Sequence, residues 1–223
     1  MDARLANIIR SIQFNSPLRR YFFPKYAYYF NPPQLGFLCA CIEETRNVPG
    51  SIAEVGCFMG ATTVYLNKYM DARGIEKPYR SVDTFNGFVA DDIQYEVDNR
   101  GKTKDLFTGF RGIKKSWYDT IMQDNGITRV TSTQADVNKF DLRTLGPLSF
   151  VLFDVDLYRP MKKGLPELYE VLSPGGIMVL DDCDATSMQW DGADQAYKEF
   201  MQERGLEVEI VHGKLGVIRK KGL

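Results

Sequence analysis

Four short apolar runs in this chain end on an acidic residue or open into a glycine loop, and segments of helical pattern lie between them. Residues 51–55 run into Glu54-Val55-Gly56-Cys57-Phe58-Met59-Gly60, residues 79–82 end on Asp83, residues 148–153 end on Asp154, and residues 177–180 end on Asp181-Asp182. Strands that alternate with helices argue for a parallel sheet covered on both faces. In an open α/β sheet, ligands bind outside the carboxyl ends of the strands, so topology alone brings these acidic tips to one crevice. That convergence constrains the chain more than any single motif.

The remaining pattern fits the same plan. Residues 1–49 read as an N-terminal helical cap, with helices over 5–12 and 34–46, an aromatic stretch over 21–30, and a break at Asn31-Pro32-Pro33. From residue 50 to 223 the chain reads as one α/β domain. Helices are expected over 61–73, 113–123, 160–172 and 192–204, with a short helical piece at 138–143. A further strand is expected over 129–133, and two more over 207–211 and 215–219, joined at His212-Gly213-Lys214 and adding an antiparallel strand at the end. Ser173-Pro174-Gly175-Gly176 is expected to close the helix before it. Residues 84–112 are polar, rich in charge and glycine and too long for an ordinary connection, so they read as an irregular, mobile flap over a site.

Charge and composition narrow the function. The chain has 223 residues, 44% of them hydrophobic, enough for one substantial core. Its 28 basic and 29 acidic residues nearly cancel, which leaves no footprint for nucleic acid or an anionic membrane surface and points to a small-molecule partner. No apolar run reaches 18 residues, and residues 1–15 carry Asp2, Arg4 and Arg10, so a cytoplasmic location is expected. The four cysteines, Cys39, Cys41, Cys57 and Cys183, form no CxxC pair and read as reduced, packed thiols.

The loop from Glu54 to Gly60 lets backbone approach a ligand, while the Glu54 carboxylate would repel a pyrophosphate and suit a cationic or hydroxyl-bearing ligand. The dinucleotide fingerprint GxGxxG is absent, and a plain tight turn also fits this spacing. Asp83 can accept hydrogen bonds from ribose hydroxyls or can cap a loop. Gln134 and Asp136 could meet an adenine edge or belong to a solvated loop. The strongest constellation joins Asp154 and Asp156 to Asp181, Asp182 and Asp184. Carboxylates crowded at neighbouring strand ends repel unless protons or a cation offset them, and an all-oxygen set selects Mg²⁺ or a similar hard ion. Some of these aspartates are also expected to cap the turns that follow.

These residues resemble the macrocin O-methyltransferase (TylF-like) family of class I S-adenosylmethionine-dependent methyltransferases. The resemblance runs over residues 51–219 through E-V-G-C-F-x-G at 54–60, D-T-F-N-G-F at 83–88, D-V-D-L-Y at 154–158 and P-G-G-x-x-x-x-D-D at 174–182. It implies a Rossmann-like, mostly parallel seven-stranded sheet and transfer of a methyl group to a hydroxyl of a small molecule. It places the cofactor on Glu54, Gly56, Phe58, Gly60, Asp83, Thr84 and Phe85, with Gln134, Asp136, Asp154 and Asp156 beyond them. The metal ligands fall on Asp154, Asp181 and Asp182, with Asp156 behind them or against the cofactor. Some members carry a base histidine where this chain has Asp184, so proton removal is assigned to Asp154, Asp184 or solvent. His212, the lone histidine, reads as a solvated turn residue, and Trp117, Tyr118 and Trp190 read as pocket lining or as core. Two alternatives stay open: a nucleotide-binding oxidoreductase, which would leave the aspartate cluster without a purpose, and a catalytically idle metabolite-binding member of the fold. The apolar N-terminal helices make a homodimer plausible.

Overall fold

The computed structural model describes residues 3–17, 19–22, 26, 28–184, 186–187 and 189–222. Of the aromatic stretch at 21–30, residues 23–25 and 27 lie outside the described residues, as do residues 1 and 2 of the N-terminal segment. The elements run α1 (Ala3–Phe14), α2 (Arg19–Phe22), α3 (Pro32–Glu44), β1 (Ser51–Val55), α4 (Ala61–Arg73), β2 (Tyr79–Asp83), α5 (Ala90–Arg100), α6 (Lys115–Asp124) and β3 (Val130–Gln134). They continue with β4 (Leu148–Phe153), α7 (Tyr158–Val171), β5 (Leu172–Leu180), α8 (Asp191–Glu203), β6 (Glu209–Val211) and β7 (Leu215–Arg219).

The sheet has seven strands in the order β3-β2-β1-β4-β5-β7-β6. The first five pair in parallel, and β7 runs antiparallel to both β5 and β6. Because successive residues of a strand face opposite ways, the buried strands feed two cores. Ala53, Val55, Val151 and Phe153 pack with Met161, Leu165 and Leu168 of α7 and Tyr197 and Phe200 of α8. Ile52, Phe150, Leu152 and Val179 pack on the other face with Leu35, Leu38 and Ile42 of α3 and Leu66 and Met70 of α4. The order reverses between β1 and β4, and that seam is the switch point where an open α/β sheet binds its ligand.

Local chemistry sets the boundaries. Asn31 and the prolines after it start α3 rather than merely break the chain. The Asn31 side chain accepts from Gln34 N while Gln34 Oε1 accepts from Asn31 N, with proline at the helix's first positions. At the other end of the sheet, β5 begins at Leu172 directly after α7, so Ser173-Pro174-Gly175-Gly176 lies within the strand span and does not cap the helix.

The largest correction concerns residues 84–112. They hold the 11-residue α5 and a short 3-10 turn at Lys104–Phe107 instead of an irregular loop. Most α5 positions are polar, and Ala90, Ile93 and Val97 make only a thin apolar row among charged residues, too weak to mark the helix. Its anchorage is ionic instead: buried Glu96 accepts from Tyr158 N at 2.9 Å and from Arg100 Nε at 2.7 Å, while Arg100 and Lys102 pair with Asp191 at the start of α8.

Candidate active site

The carboxyl ends of β1, β2, β4 and β5 open on one cavity of about 240 Å³. At the seam, Gly56 and Asp154 interlock. Gly56 N donates to Val82 O and Asp154 N donates to Val55 O, both at 2.8 Å. A Cβ on Gly56 would sit 1.6 Å from the Asp154 carbonyl oxygen, and the residue adopts φ +92°, so only glycine fits.

On the β1–β2 side the acids are held by the protein's own donors. Glu54 is 1% exposed. Its Oε2 accepts from Thr63 Oγ1 and Tyr79 Oη, each at 2.6 Å, which leaves Oε1 as the oxygen for the cavity that Glu54 lines. Burial pushes this carboxyl up to about 7 against the pull of those two hydroxyls. Asp83 accepts from Phe58 N at 2.8 Å through Oδ2 and from Phe85 N at 2.7 Å through Oδ1, so it joins the two loops while still lining the cavity. Its carboxyl is raised chiefly by burial, with those amide bonds opposing.

The other predicted cofactor residues divide. Gly56, Phe58, Thr84 and Asp136 line the cavity with Glu54 and Asp83. Gly60 stands behind it as the N-cap of α4, and buried Phe85 contributes its amide to Asp83. Gln134 is exposed, does not line the cavity and donates to Thr84 O at 2.9 Å, so it belongs to the loop scaffold.

On the β4–β5 side the acids face one another. Asp154, Asp156 and Asp182 each present a carboxylate oxygen within 4.8 Å of the others. Asp154 is pushed well above the usual range by burial and then by Asp181, Asp156 and Asp182. Burial and then Asp182 push Asp156 up likewise. Asp181 rises to about 6 through burial and Asp182, with Lys214 opposing. Asp156 and Asp182 also hold left-handed φ values of +62° and +57°, as do cavity residues Phe58 and Phe110 at +48° and +64°. Strain of this kind in side-chain-bearing residues gathers where function needs a particular orientation.

Two expectations for this cluster change. The metal set implied by the resemblance was Asp154, Asp181 and Asp182, whereas Asp181 is held by Lys214 Nζ at 2.6 Å and the carboxylates grouped within 4.8 Å are those of Asp154, Asp156 and Asp182. Asp184 is not in the cavity: its Oδ1 caps the next turn, accepting from Thr186 N at 2.8 Å and Thr186 Oγ1 at 2.7 Å. These bonds hold its carboxyl below the ordinary value, the opposite of what a general base at this site needs.

Lys214 and Asp92 line the cavity and were missed. Lys214 sits in the same hairpin as His212, which drew attention as the lone histidine yet stays exposed outside the cavity. Asp92, raised to about 6 chiefly by burial, lies on the polar α5, where nothing in the pattern set it apart. Of the three aromatics considered, Trp190 lines the cavity, Tyr118 is buried in a bond to Ser81 Oγ, and Trp117 is exposed. Trp190 joins Phe58, Phe88, Phe110 and Tyr29 in a wall of ring contacts 5.1–6.4 Å apart.

Residues 32–217 match the family model of macrocin-O-methyltransferase (TylF). A curated relative, mycinamicin III 3''-O-methyltransferase of Micromonospora griseorubida, is 25% identical over 80% of this chain and 71% of its own. The structure of the O-methyltransferase NovP superposes with a TM-score of 0.72 at 18% identity, covering 84% of this chain and 79% of that one. The calicheamicin methyltransferase CalS11 superposes at 0.69 with 20% identity, covering 96% and 90%. With a seven-stranded sheet of this order, a ligand cavity at its switch point and a family match over most of its length, the chain belongs to the macrocin-O-methyltransferase (TylF) family of class I S-adenosylmethionine-dependent O-methyltransferases.

Proposed function

We propose that the chain transfers the methyl group of S-adenosylmethionine to a hydroxyl of a small sugar-like or other natural-product-like acceptor, assisted by a divalent ion such as Mg²⁺. The observation that carries this reading is that the glycine loop with Glu54 and Asp83, and the cluster of Asp154, Asp156 and Asp182, share one cavity. An all-carboxylate set fits a hard ion, and with burial and neighbouring acids raising Asp154 and Asp156 beside Asp182, the set is in need of a cation. Held by these three residues, the ion would supply a Lewis acid that eases deprotonation of an acceptor hydroxyl.

The chain's own residues perform the rest. The cavity-facing oxygen of Glu54 suits the cofactor's ammonium, and Asp83, fixed by two amides, retains lone pairs for ribose hydroxyls. Asp136, which follows β3, lines the cavity where it suits the base, and Gly56 leaves the loop backbone free of a side chain at the seam. With Asp184 outside, proton acceptance falls to Asp154, whose carboxyl burial and the neighbouring acids raise well above its ordinary value, or to solvent. The aromatic wall excludes water and suits the C–H face of a sugar or a flat ring. Residues 84–112 act as the cover, contributing Phe88, Asp92 and Phe110 from a segment pinned to α7 and α8.

The test is turnover with S-adenosylmethionine and a panel of glycosides and nucleotide sugars, read as S-adenosylhomocysteine release. A chelator is expected to lower the rate at least about 100-fold and Mg²⁺ to restore it; full turnover in chelator contradicts the ion's role. No described helix is long and apolar enough to cross a membrane, and four free, buried cysteines suit a reducing cytoplasmic setting. Exposed Leu5, Ile8, Ile9 and Ile12 on α1 support a homodimer, which sedimentation would reveal.

A further inference from the structure

The acidic cluster already contains a cation. Lys214, on the turn between β6 and β7, places Nζ 2.6 Å from Asp181 Oδ2 and 3.3 Å from Asp182 Oδ1. Several contacts hold it there. The ammonium lies 5.1 Å from the centre of the Phe30 ring, and the Lys214 carbonyl accepts from Cys183 N at 2.8 Å. The hairpin itself is tied to the N-terminal cap, because Gln34 Nε2 donates to His212 O at 3.1 Å and the His212 ring packs against Phe37. The lysine is therefore fixed by α3 and by the residues leading into it, and is not a side chain sampling solvent. Asp181 is 5% exposed and its Oδ1 has no hydrogen-bond partner among the described residues, so the ammonium is the contact that offsets its charge.

We propose that Lys214 is a standing counter-cation, paired closely with Asp181 and touching Asp182, at the edge of the set of Asp154, Asp156 and Asp182 that a divalent ion would enter. The proposal rests on the ion reading above and adds a consequence to it. A fixed positive charge beside the set lowers its affinity for any cation, because like charges repel strongly where water is excluded. Lys214 thereby sets the ion's affinity and, through Phe30 and Gln34, makes it depend on the seating of the N-terminal cap.

The experiment is Mn²⁺ binding to the metal-free protein, followed by the spin resonance of free Mn²⁺, in wild type, Lys214→Met, Lys214→Gln and Lys214→Arg. Both neutral variants are expected to bind Mn²⁺ at least about tenfold more tightly than wild type, and Lys214→Arg to stay within about threefold of it. Two neutral variants are used so that one failing to fold leaves the other to decide, with folding checked by thermal melting without metal. Unchanged or weaker binding in the folded neutral variants overturns the lysine's role and leaves the ion reading standing. Absence of binding in wild type and neutral variants alike overturns the ion reading, and the proposal with it.

Discussion

The two halves of the cavity treat the same residue type in opposite ways. On the β1–β2 side each acid is met by donors from the protein: two hydroxyls for Glu54 and two backbone amides for Asp83. On the β4–β5 side burial and crowding with Asp182 disfavour the ionised forms of Asp154, Asp156 and Asp181, and Lys214 is a cation that the structure sets against them. A carboxylate satisfied in advance is a preorganised acceptor for hydroxyls or an ammonium; carboxylates left in conflict are a site that something positive must complete. In the proposed function that difference separates a half that would hold the methyl donor from a half that would act on the acceptor.

If that division is right, the largest effect belongs to the unsatisfied half. Asp182→Asn is expected to lower kcat/KM by about a thousandfold while leaving S-adenosylhomocysteine affinity within about threefold, measured by turnover and calorimetry. A loss confined to cofactor binding would erase the distinction. Next comes the satisfied half: Asp83→Ala strands the Phe58 and Phe85 amides and is expected to weaken S-adenosylhomocysteine about 100-fold, with Mn²⁺ affinity nearly unchanged.

A smaller effect sharpens the role of Glu54. Burial raises its folded carboxyl from about 4.5 to about 7, so the fold favours the protonated form. The corresponding stability is fully present below about 4.5 and is lost as pH rises through about 7. Binding of an ammonium needs the ionised form and therefore runs the other way. S-adenosylhomocysteine is expected to bind up to about tenfold more tightly at pH 8 than at pH 6, with a proton released, and a flat profile would remove Glu54 from contact with the ligand. The smallest effect is at Asp184, where alanine is expected to lower the melting temperature slightly through the lost cap and to leave turnover within about twofold.

Most of the frame was legible because strands and helices alternate with distinct periodicity and because the strand-ending acids announce where the sheet opens. What failed did so for physical reasons. α5 hides because Glu96, Arg100 and Asp191 do much of the anchoring by charge, which leaves only the thin row of Ala90, Ile93 and Val97 to read. The choice among Asp154, Asp156, Asp181, Asp182 and Asp184 depends on which neighbour each meets. Lys214 arrives from 32 residues away, and Thr186 takes Asp184 out of the cavity. Spacing along a chain places carboxylates at a strand end, but it does not say which of them another segment will neutralise.

The central claim is that the conflict among Asp154, Asp156 and Asp182 is resolved by a doubly charged ion beside the methyl donor. Crystals grown with S-adenosylhomocysteine and Mn²⁺, measured for anomalous scattering, test it most directly. One strong peak is expected bonded to those three carboxylates, with Asp181 still on Lys214 and the cofactor's sulfur facing the same space. A map with the cofactor in place and no peak among the three, their oxygens engaged by protein donors or protons alone, would contradict it.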